Sequence, residues 1–320
     1  MRYIEPPHLI LRKHLIHGER VSSFAVHVAQ YSSKTLFNTS LVALEGGVFR
    51  SAVAAWSKNT AMCALTEKVI FTDPYTVSPF NRWTTPQLDT YALSIKEDQT
   101  LKLAVAKLKE KFLSQTQALL HGDLHSGSVM ATEGSTFIID PEFAFYGPIG
   151  FDIGAFVSNL FLNYFSAFAR GDAGCEYAEF VLAQTVLFYE TFVNDFVALW
   201  REARSRGDVS ELFPLHVYNS DELFEKAVQA YTAQIYKDTL GFTGLKMIRR
   251  IVGIAHVEDL ESIQDPEARS VCEKRALLFA RKLVLASQES VVPAEYSDIR
   301  TVTVYARTLF AAAPSDKWPL

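Results

Sequence analysis

The sequence predicts an α+β fold that is mostly α-helical, and two observations carry this prediction. Apolar residues recur at three- or four-residue steps through most of the chain, which is the period of an amphipathic helix. Between residues 118 and 139 the period changes, and three short apolar runs are separated by turn residues. We therefore expect a helical domain that contains one small β-hairpin region.

Three helical stretches precede the predicted hairpin. Residues 21–44 have helical spacing and Gly46-Gly47 is expected to end this helix, while a second stretch reaches about Thr66. Residues 98–117 predict an amphipathic helix with one apolar stripe, formed by Leu101, Val105, Leu108 and Phe112. This stripe indicates the face that packs on the core.

Residues 72–89 predict a long loop, because they are rich in Pro, Asn and Thr. Long loops inside compact domains often carry function. Trp83 lies in this loop, and two interpretations of its indole stay open. It covers a bound ligand, or it plugs the loop into the core.

Two carboxylates are expected at the ends of strands. The predicted strands are residues 118–120, 129–131 and 137–139, and the last two are joined by a turn at residues 133–135. Asp123 follows the first strand and Asp140 follows the last. Strand ends hold side chains rigidly while loops leave them accessible, so both are candidates for chemistry.

The second half of the chain predicts helices and a weakly patterned end. The expected helices are residues 153–168, 177–203, 220–237, 245–262 and 266–289. Asp265-Pro266 is a capping signal for the last of these. Residues 291–320 have little pattern and are expected to be loosely ordered. We therefore expect one domain over residues 1–290, followed by a tail.

Composition excludes several classes of protein. Net charge is −5 with no basic block, which argues against nucleic acid as a partner. The three cysteines form no CxxC pair, which is typical of reduced thiols in the cytosol. The first residues lack the apolar core of a signal peptide. The apolar run 151–168 is interrupted by polar residues, which favours a buried helix over a membrane span.

The spacing of polar residues around the hairpin is typical of kinases. In the general pattern a loop Asp is followed five positions later by a metal-binding polar residue, and a second Asp follows a short hairpin. Here Asp123, Ser128 and Asp140 stand at these positions, with Ser128 where Asn is usual. One carboxylate would face the attacking hydroxyl, and the other would hold Mg²⁺ on the phosphates.

Each of these residues also has a structural interpretation. His121-Gly122-Asp123 alone is a weak motif that also occurs as an ordinary turn, and Asp140 alone could cap a turn. The combination of loop, strand, turn, strand and second Asp is far more specific. We expect His121 to be a structural hydrogen-bonding residue and His125 to orient the loop rather than bind metal.

Residues 121–128 (HGDLHSGS) and 140–154 (DPEFAFYGPIGFDIG) resemble the signature of the 5-methylthioribose kinase family. Segments 3–8, 81–84 and 247–253 also match family segments in the same order, so that the resemblance covers about residues 1–289. It implies a protein-kinase-like fold, related to aminoglycoside and choline kinases, of which this chain carries the C-terminal lobe. The implied reaction transfers the γ-phosphate of ATP to the anomeric hydroxyl of methylthioribose, in methionine salvage.

The resemblance also implies roles for individual residues. Asp123 would be the catalytic base. Asp140 and Glu142 would bind Mg²⁺, and Ser128 would replace the usual metal-binding Asn. Trp83 would belong to a loop over the sugar. Enzymes of this family are often dimeric, which implies a homodimer.

Arg249 and Arg250 would contact the substrate and the transferring phosphate, as the resemblance implies. Adjacent helical residues point about 100° apart, so both can reach one ligand only from a helix end or with one near a loop. The alternative is that they pair with carboxylates such as Glu258 and Asp259. Asp152 is expected to support the catalytic loop from below.

A kinase-like enzyme also needs an N-terminal lobe with a glycine-rich loop and a Lys–Glu pair. Residues 1–8 fall at about the hinge, and no such lobe precedes them in this sequence. Three explanations stay open: a truncated kinase, a short non-catalytic binding module, or a chain completed by another. We expect poor ATP binding and little activity from this chain alone. A kinase for choline or an aminoglycoside is a further alternative.

Overall fold

A computed structural model describes residues 4–208 and 210–311, with the side chains of residues 172 and 173 left aside. The N-terminal half of the described chain contains the helices α1 (Leu11–His17), α2 (Phe24–Asn38), α3 (Gly46–Trp56), α4 (Thr60–Phe71), α5 (Asp89–Glu97) and α6 (Gln99–Ser114). The C-terminal half contains α7 (Ile149–Ser166), α8 (Gly171–Arg206), α9 (Asp221–Val252), α10 (Glu258–Glu261), α11 (Pro266–Ala286) and α12 (Ile299–Ala311).

The strands form two small antiparallel sheets. They are β1 (Leu9–Ile10), β2 (Ala118–Leu120), β3 (Val129–Ala131), β4 (Thr136–Ile138) and β5 (Phe145–Gly147). One sheet has the order β1-β3-β4, and the other pairs β2 with β5. Val129 faces Ile138 across the predicted hairpin. The expected fold class, mostly α with a small β-hairpin, is confirmed.

Helix α7 lies at the centre of the core, and every one of its residues is buried. It packs against α8, α9 and α11. At Gly150 a Cβ atom would lie 2.7 Å from the Thr239 nitrogen, and at Gly154 it would lie 2.8 Å from the Thr243 nitrogen. These glycines therefore let α7 approach the backbone of α9 closely. Among the described helices, none is both long and apolar enough to cross a membrane.

Several predicted elements are confirmed. Helix α6 buries the stripe Leu101, Val105, Leu108 and Phe112. Asp265 caps α11 by accepting the Glu267 backbone N–H at 3.1 Å. Residues 72–88 form the predicted loop, with a single 3₁₀ turn at Asp73–Tyr75, and Asp89 begins α5. Local sequence was sufficient in these places because the signal and the structure lie on the same element.

The prediction of two helices over residues 220–262 was wrong, because α9 runs unbroken from Asp221 to Val252. The glycines of this stretch permit close packing, since a Cβ at Gly244 would lie 2.3 Å from the carbonyl oxygen of Ala280 on α11. The glycines serve contacts between helices, which local periodicity does not report.

Two further expectations were wrong. Gly46-Gly47 opens α3 rather than ending a helix, because the Glu45 side chain accepts the backbone N–H groups of Gly47 and Val48. The expected loose tail contains α12, which buries Ile299, Val302, Thr303 and Ala306. Helix α12 packs on α8 and α11, so the folded domain extends beyond residue 290. Residues 312–320 of that tail lie outside the described residues.

Candidate active site

The loop after β2 is held from below by Asp152 on α7. Asp152 is buried, and its Oδ2 accepts the backbone N–H of His121 at 2.6 Å while its Oδ1 accepts that of Gly122 at 3.0 Å. Burial raises the pKa of Asp152, and these two N–H donors with the charges of His121 and Lys246 act in the opposite direction. Asp152 thus binds two consecutive N–H groups of the loop from the core side.

Gly122 lets the chain turn sharply at this point. Its φ is +85°, and a Cβ there would lie 2.1 Å from the backbone oxygen of Phe143. His121 fixes the loop further, because its Nε2 bonds the Ile139 carbonyl oxygen at 2.9 Å and its Nδ1 accepts the Asp123 N–H at 3.3 Å. His121 thus joins the loop to the strand end that carries Asp140.

The Asp123 carboxylate lies between two nitrogen donors. His125 Nε2 is 3.2 Å from Oδ2, and Lys246 Nζ is 3.6 Å from Oδ1. The Asp123 side chain keeps a quarter of its surface exposed. Burial raises the pKa of Asp123, but the His125 hydrogen bond and the positive charges of Lys246 and Arg250 outweigh it and hold the pKa below its ordinary value. An ionised, accessible carboxylate results.

The tautomer of His125 follows from its contacts. Its Nδ1 accepts the backbone N–H groups of Gly127 and Ser128 at 2.9 and 3.1 Å, so the ring proton lies on Nε2 and is donated to Asp123. Burial lowers the pKa of His125, which favours the neutral ring. His125 therefore orients the loop and its carboxylate together.

Ser128 closes the same turn from the other side. It is buried, its hydroxyl donates to the carbonyl oxygen of Asp123 at 3.0 Å or of His125 at 2.9 Å, and it accepts the His125 N–H at 2.9 Å. These contacts use the hydroxyl within the loop. The role of Ser128 as a metal ligand stays a prediction.

Asp140 and Glu142 follow β4 and are exposed. Asp140 has φ +66°, a left-handed conformation that Asp tolerates better than most residues. Asn59 holds the segment by donating to the carbonyl oxygens of Glu142 at 2.8 Å and Ala144 at 2.9 Å. Exposed carboxylate oxygens suit Mg²⁺ that also binds phosphates, so these residues fit the implied ion.

A closed metal cage is not present in the described part of the chain. No group of three or more His, Cys, Asp or Glu side chains is arranged there to hold a metal ion. A Mg²⁺ ion that works on nucleotide phosphates needs only one or two protein carboxylates, with water and phosphate completing its shell. The pair of carboxylates is consistent with that kind of site.

Arg249 and Arg250 lie in the last turn of α9, which is the helix-end position that simultaneous contact with one ligand requires. Arg250 Nη1 donates to the Ala255 carbonyl oxygen at 2.7 Å. Arg249 Nε has no hydrogen-bond partner among the described residues. Burial lowers the pKa of both, and the charge of Asp123 acts in the opposite direction. Their substrate contacts stay a prediction.

Trp83 is half-buried and packs against the core. Its indole N–H donates to Asp89 Oδ1 at 2.7 Å, and Lys96 Nζ lies 3.8 Å from a ring centroid of the indole. These contacts are those of a plug that holds the loop against the core. A role over the sugar stays a prediction.

Sequence reasoning missed two cations of the site. Arg12 on α1 donates to Ser126 Oγ at 3.2 Å and to Asn159 Oδ1 at 3.0 Å, and its Nε lies 3.5 Å from Asp259 Oδ2. Lys246 on α9 reaches Asp123 as described. No local signal marks Arg12. Lys246 could have been noticed, since it stands three and four residues before the two arginines and so shares their helix face.

The class of protein that this fold and site define is a phosphotransferase. Residues 50–182 match the family model described as "Phosphotransferase enzyme family". "Methylthioribose kinase 1" of Oryza sativa subsp. japonica is 48% identical over 287 residues, covering 89% of this chain and 66% of the relative. "Methylthioribose kinase 2" of the same plant is 47% identical, covering 89% and 67%.

A bacterial relative agrees with the plant proteins. "Methylthioribose kinase" of Escherichia coli O45:K1 (strain S88 / ExPEC) is 37% identical over 293 residues, covering 90% of this chain and 69% of the relative. The chain belongs to the methylthioribose kinase family, and it spans about two thirds of the length of these relatives. A solved glucosamine kinase (crystal form B) is 12% identical, with a TM-score of 0.39, over 84% of this chain and 57% of that chain.

Proposed function

We propose that this protein is an S-methyl-5-thioribose kinase, which converts ATP and 5-methylthioribose into ADP and 5-methylthioribose 1-phosphate. The observation that carries the proposal is the Asp123 carboxylate, ionised and accessible between His125 and Lys246. The names of the relatives support methylthioribose as the acceptor over choline or an aminoglycoside.

Asp123 would act as the general base. It accepts the proton of the anomeric hydroxyl while the hydroxyl oxygen forms its bond to the γ-phosphorus and the bond to the ADP oxygen breaks. The low pKa of Asp123 makes it a weak base. Phosphoryl transfer depends mainly on positioning and on electrostatic stabilisation, so a fixed, charged carboxylate is adequate.

The other residues would handle charge. Mg²⁺, when bound, would neutralise charge on the phosphates. Asp140 and Glu142 are the residues that would hold it, and Ser128 occupies the sequence position of the usual metal-binding Asn. Arg249 and Arg250 end α9 near Asp123, and would stabilise the transferring phosphoryl group. Arg249 Nε, which has no partner in the described structure, is available for an oxygen of the ligand.

Location and assembly belong to the same proposal. Cys63, Cys175 and Cys272 are free thiols in the described structure, which supports a reducing, cytosolic compartment. We further propose a homodimer, as in related kinases. Light scattering of the purified chain would measure its mass, and a monomer at micromolar concentration would contradict the dimer.

The proposal is tested by following phosphorus directly. The purified chain is incubated with MgATP and 5-methylthioribose, and ³¹P NMR records ADP and a sugar 1-phosphate. We expect methylthioribose to be preferred over choline and an aminoglycoside, even if the rate of the chain alone is low. Asp123→Asn should lower kcat by about 10²–10⁴-fold without unfolding the protein.

Two outcomes would count against this function. One is a clear preference for another acceptor alcohol. The other is ADP release that neither methylthioribose nor the Asp123→Asn change affects, since such release would not use the proposed base.

A further inference from the structure

Lys246 is a buried cation beside Asp123, and the kinase pattern of loop Asp, metal ligand and second Asp assigns it no role. Its side chain is 4% exposed, and its Nζ lies 3.6 Å from Asp123 Oδ1. The same Nζ lies 4.2 Å from the centroid of the Phe151 ring. These two contacts place the ammonium group between a carboxylate and an aromatic face.

Burying an ammonium group is unfavourable unless an opposite charge compensates it. Burial lowers the pKa of Lys246 to about 8, and the nearby charges of Arg249 and Arg250 also lower it, while those of Asp123 and Asp152 act against them. The group remains mainly charged at neutral pH. Leu245 and Met247 on either side are fully buried. If packing were the only requirement at position 246, an apolar residue would suit it better than lysine.

The two contacts of Asp123 have a geometric consequence. The terminal torsion of an Asp side chain is soft, so a carboxylate held at one oxygen can still rotate. His125 holds Oδ2 and Lys246 holds Oδ1. Each carboxylate oxygen therefore faces one nitrogen, and removing Lys246 would leave Oδ1 without its ion pair.

We propose that Lys246 is a positioning residue of the phosphotransfer site, whose ammonium group holds Asp123 Oδ1 and so fixes the plane of the catalytic carboxylate. This inference rests on the proposed function of Asp123 as the base. Lys246 would act through Asp123, and displacement of a catalytic group by about 1 Å can lower the rate about 10²-fold.

The test compares Lys246→Met, which keeps length without charge, with Lys246→Arg, which keeps the charge. We expect Lys246→Met to lower kcat about 10²-fold while KM for both substrates changes less than about threefold. Lys246→Arg should recover part of kcat. A merely structural role would not give this separation of kcat from KM or this recovery.

The matched control breaks another ion pair in which helix α9 takes part. Lys111 on α6 pairs with Asp238 on α9, which is 1% exposed. Lys111→Met should therefore lower stability as Lys246→Met does, while leaving kcat unchanged. The free energy of unfolding of all variants is measured by urea denaturation.

A crystal structure of Lys246→Met decides the question without any assay. We expect the Asp123 carboxylate to rotate or to occupy more than one orientation. An unchanged carboxylate would overturn the proposal, as would a wild-type kcat in Lys246→Met. Absence of turnover in the wild-type chain would instead bear on the proposed function alone, because the crystallographic comparison still decides the role of Lys246.

Discussion

Asp152 Oδ2 accepts the backbone N–H of His121 at 2.6 Å, across an interval of 31 residues. With the second bond, from Gly122 to Oδ1, one side chain from the central helix satisfies two consecutive N–H groups of the loop after β2. These donors lie in a buried environment, where an unpaired N–H costs about 1–3 kcal/mol.

Asp152→Asn is therefore expected to destabilise the protein by about 2–3 kcal/mol, because an amide offers one acceptor oxygen and turns its NH₂ group towards the other N–H. Urea denaturation measures this loss. The control is Asp221→Asn, whose side chain is 99% exposed and whose stability should change by less than about 0.5 kcal/mol. Equal midpoints for the two variants would contradict the anchoring role of Asp152.

Gly122→Ala should distort the loop after β2. The new methyl group would lie 2.1 Å from the Phe143 oxygen, at a φ of +85° that disfavours alanine. We expect a stability loss of about 3 kcal/mol or more, from strain together with the clash. Gly134→Ala is the matched control, since nothing lies within 4 Å of its Cβ position. A neutral Gly122→Ala variant would show that the loop can move without penalty.

Asp140 allows charge and backbone conformation to be separated. Asp140→Asn keeps a residue that tolerates φ +66°, whereas Asp140→Ala adds a strain of about 1 kcal/mol. Both variants should need much more Mg²⁺ for ADP release, and only the Ala variant should also lose stability. If Asp140→Asn keeps the Mg²⁺ dependence of the wild type, Asp140 does not hold the metal.

Glu273 predicts a pH-dependent stability. It is 3% exposed, and its Oε2 has no hydrogen-bond partner in the described structure. Burial raises its pKa from 4.5 to about 7, with a contact to Thr84 acting in the opposite direction. The pKa of Glu273 is higher in the folded than in the unfolded protein, so binding of its proton favours folding. This contribution to the free energy of unfolding is complete below about pH 4.5 and is lost as the pH rises through about 7.

The difference between the folded and unfolded pKa values of Glu273 corresponds to a loss of about 3 kcal/mol in the free energy of unfolding at pH 8. Glu273→Gln should abolish most of the decline in stability between pH 5 and 8, as measured by urea denaturation at both values. Glu222→Gln changes a glutamate whose side chain is 79% exposed, and this control should keep the wild-type decline. A decline of the same size in Glu273→Gln would mean that another group causes it.

The sequence predicted those parts of the fold whose signals are local. The stripe of α6 and the cap at Asp265 are read from neighbouring residues, and both are confirmed. The spacing of Asp123 and Asp140 located the candidate site, because loop, hairpin and second carboxylate follow one another in the chain. Helix α12 was missed although Ile299, Val302, Thr303 and Ala306 have the helical period.

Long-range contacts explain the rest of what was missed. Lys246 and Asp123 are separated by 123 positions in the sequence, and Arg12 and Asn159 by 147, so folding alone brings each pair together. Glycine usually weakens the interior of a helix. Only the packed structure shows that Gly244 of α9 makes room for the backbone of α11.

Gly150 and Gly154 affect the position of residues that surround Asp123. The central helix carries Asp152 and its partner α9 carries Lys246, so the separation of these two helices sets how far apart the anchor and the ammonium stand. A methyl group added at either glycine would wedge the helices apart. We expect such a change, although it lies in the core and away from any ligand, to shift Asp152 relative to Lys246 as well as to destabilise the packing of α7 on α9.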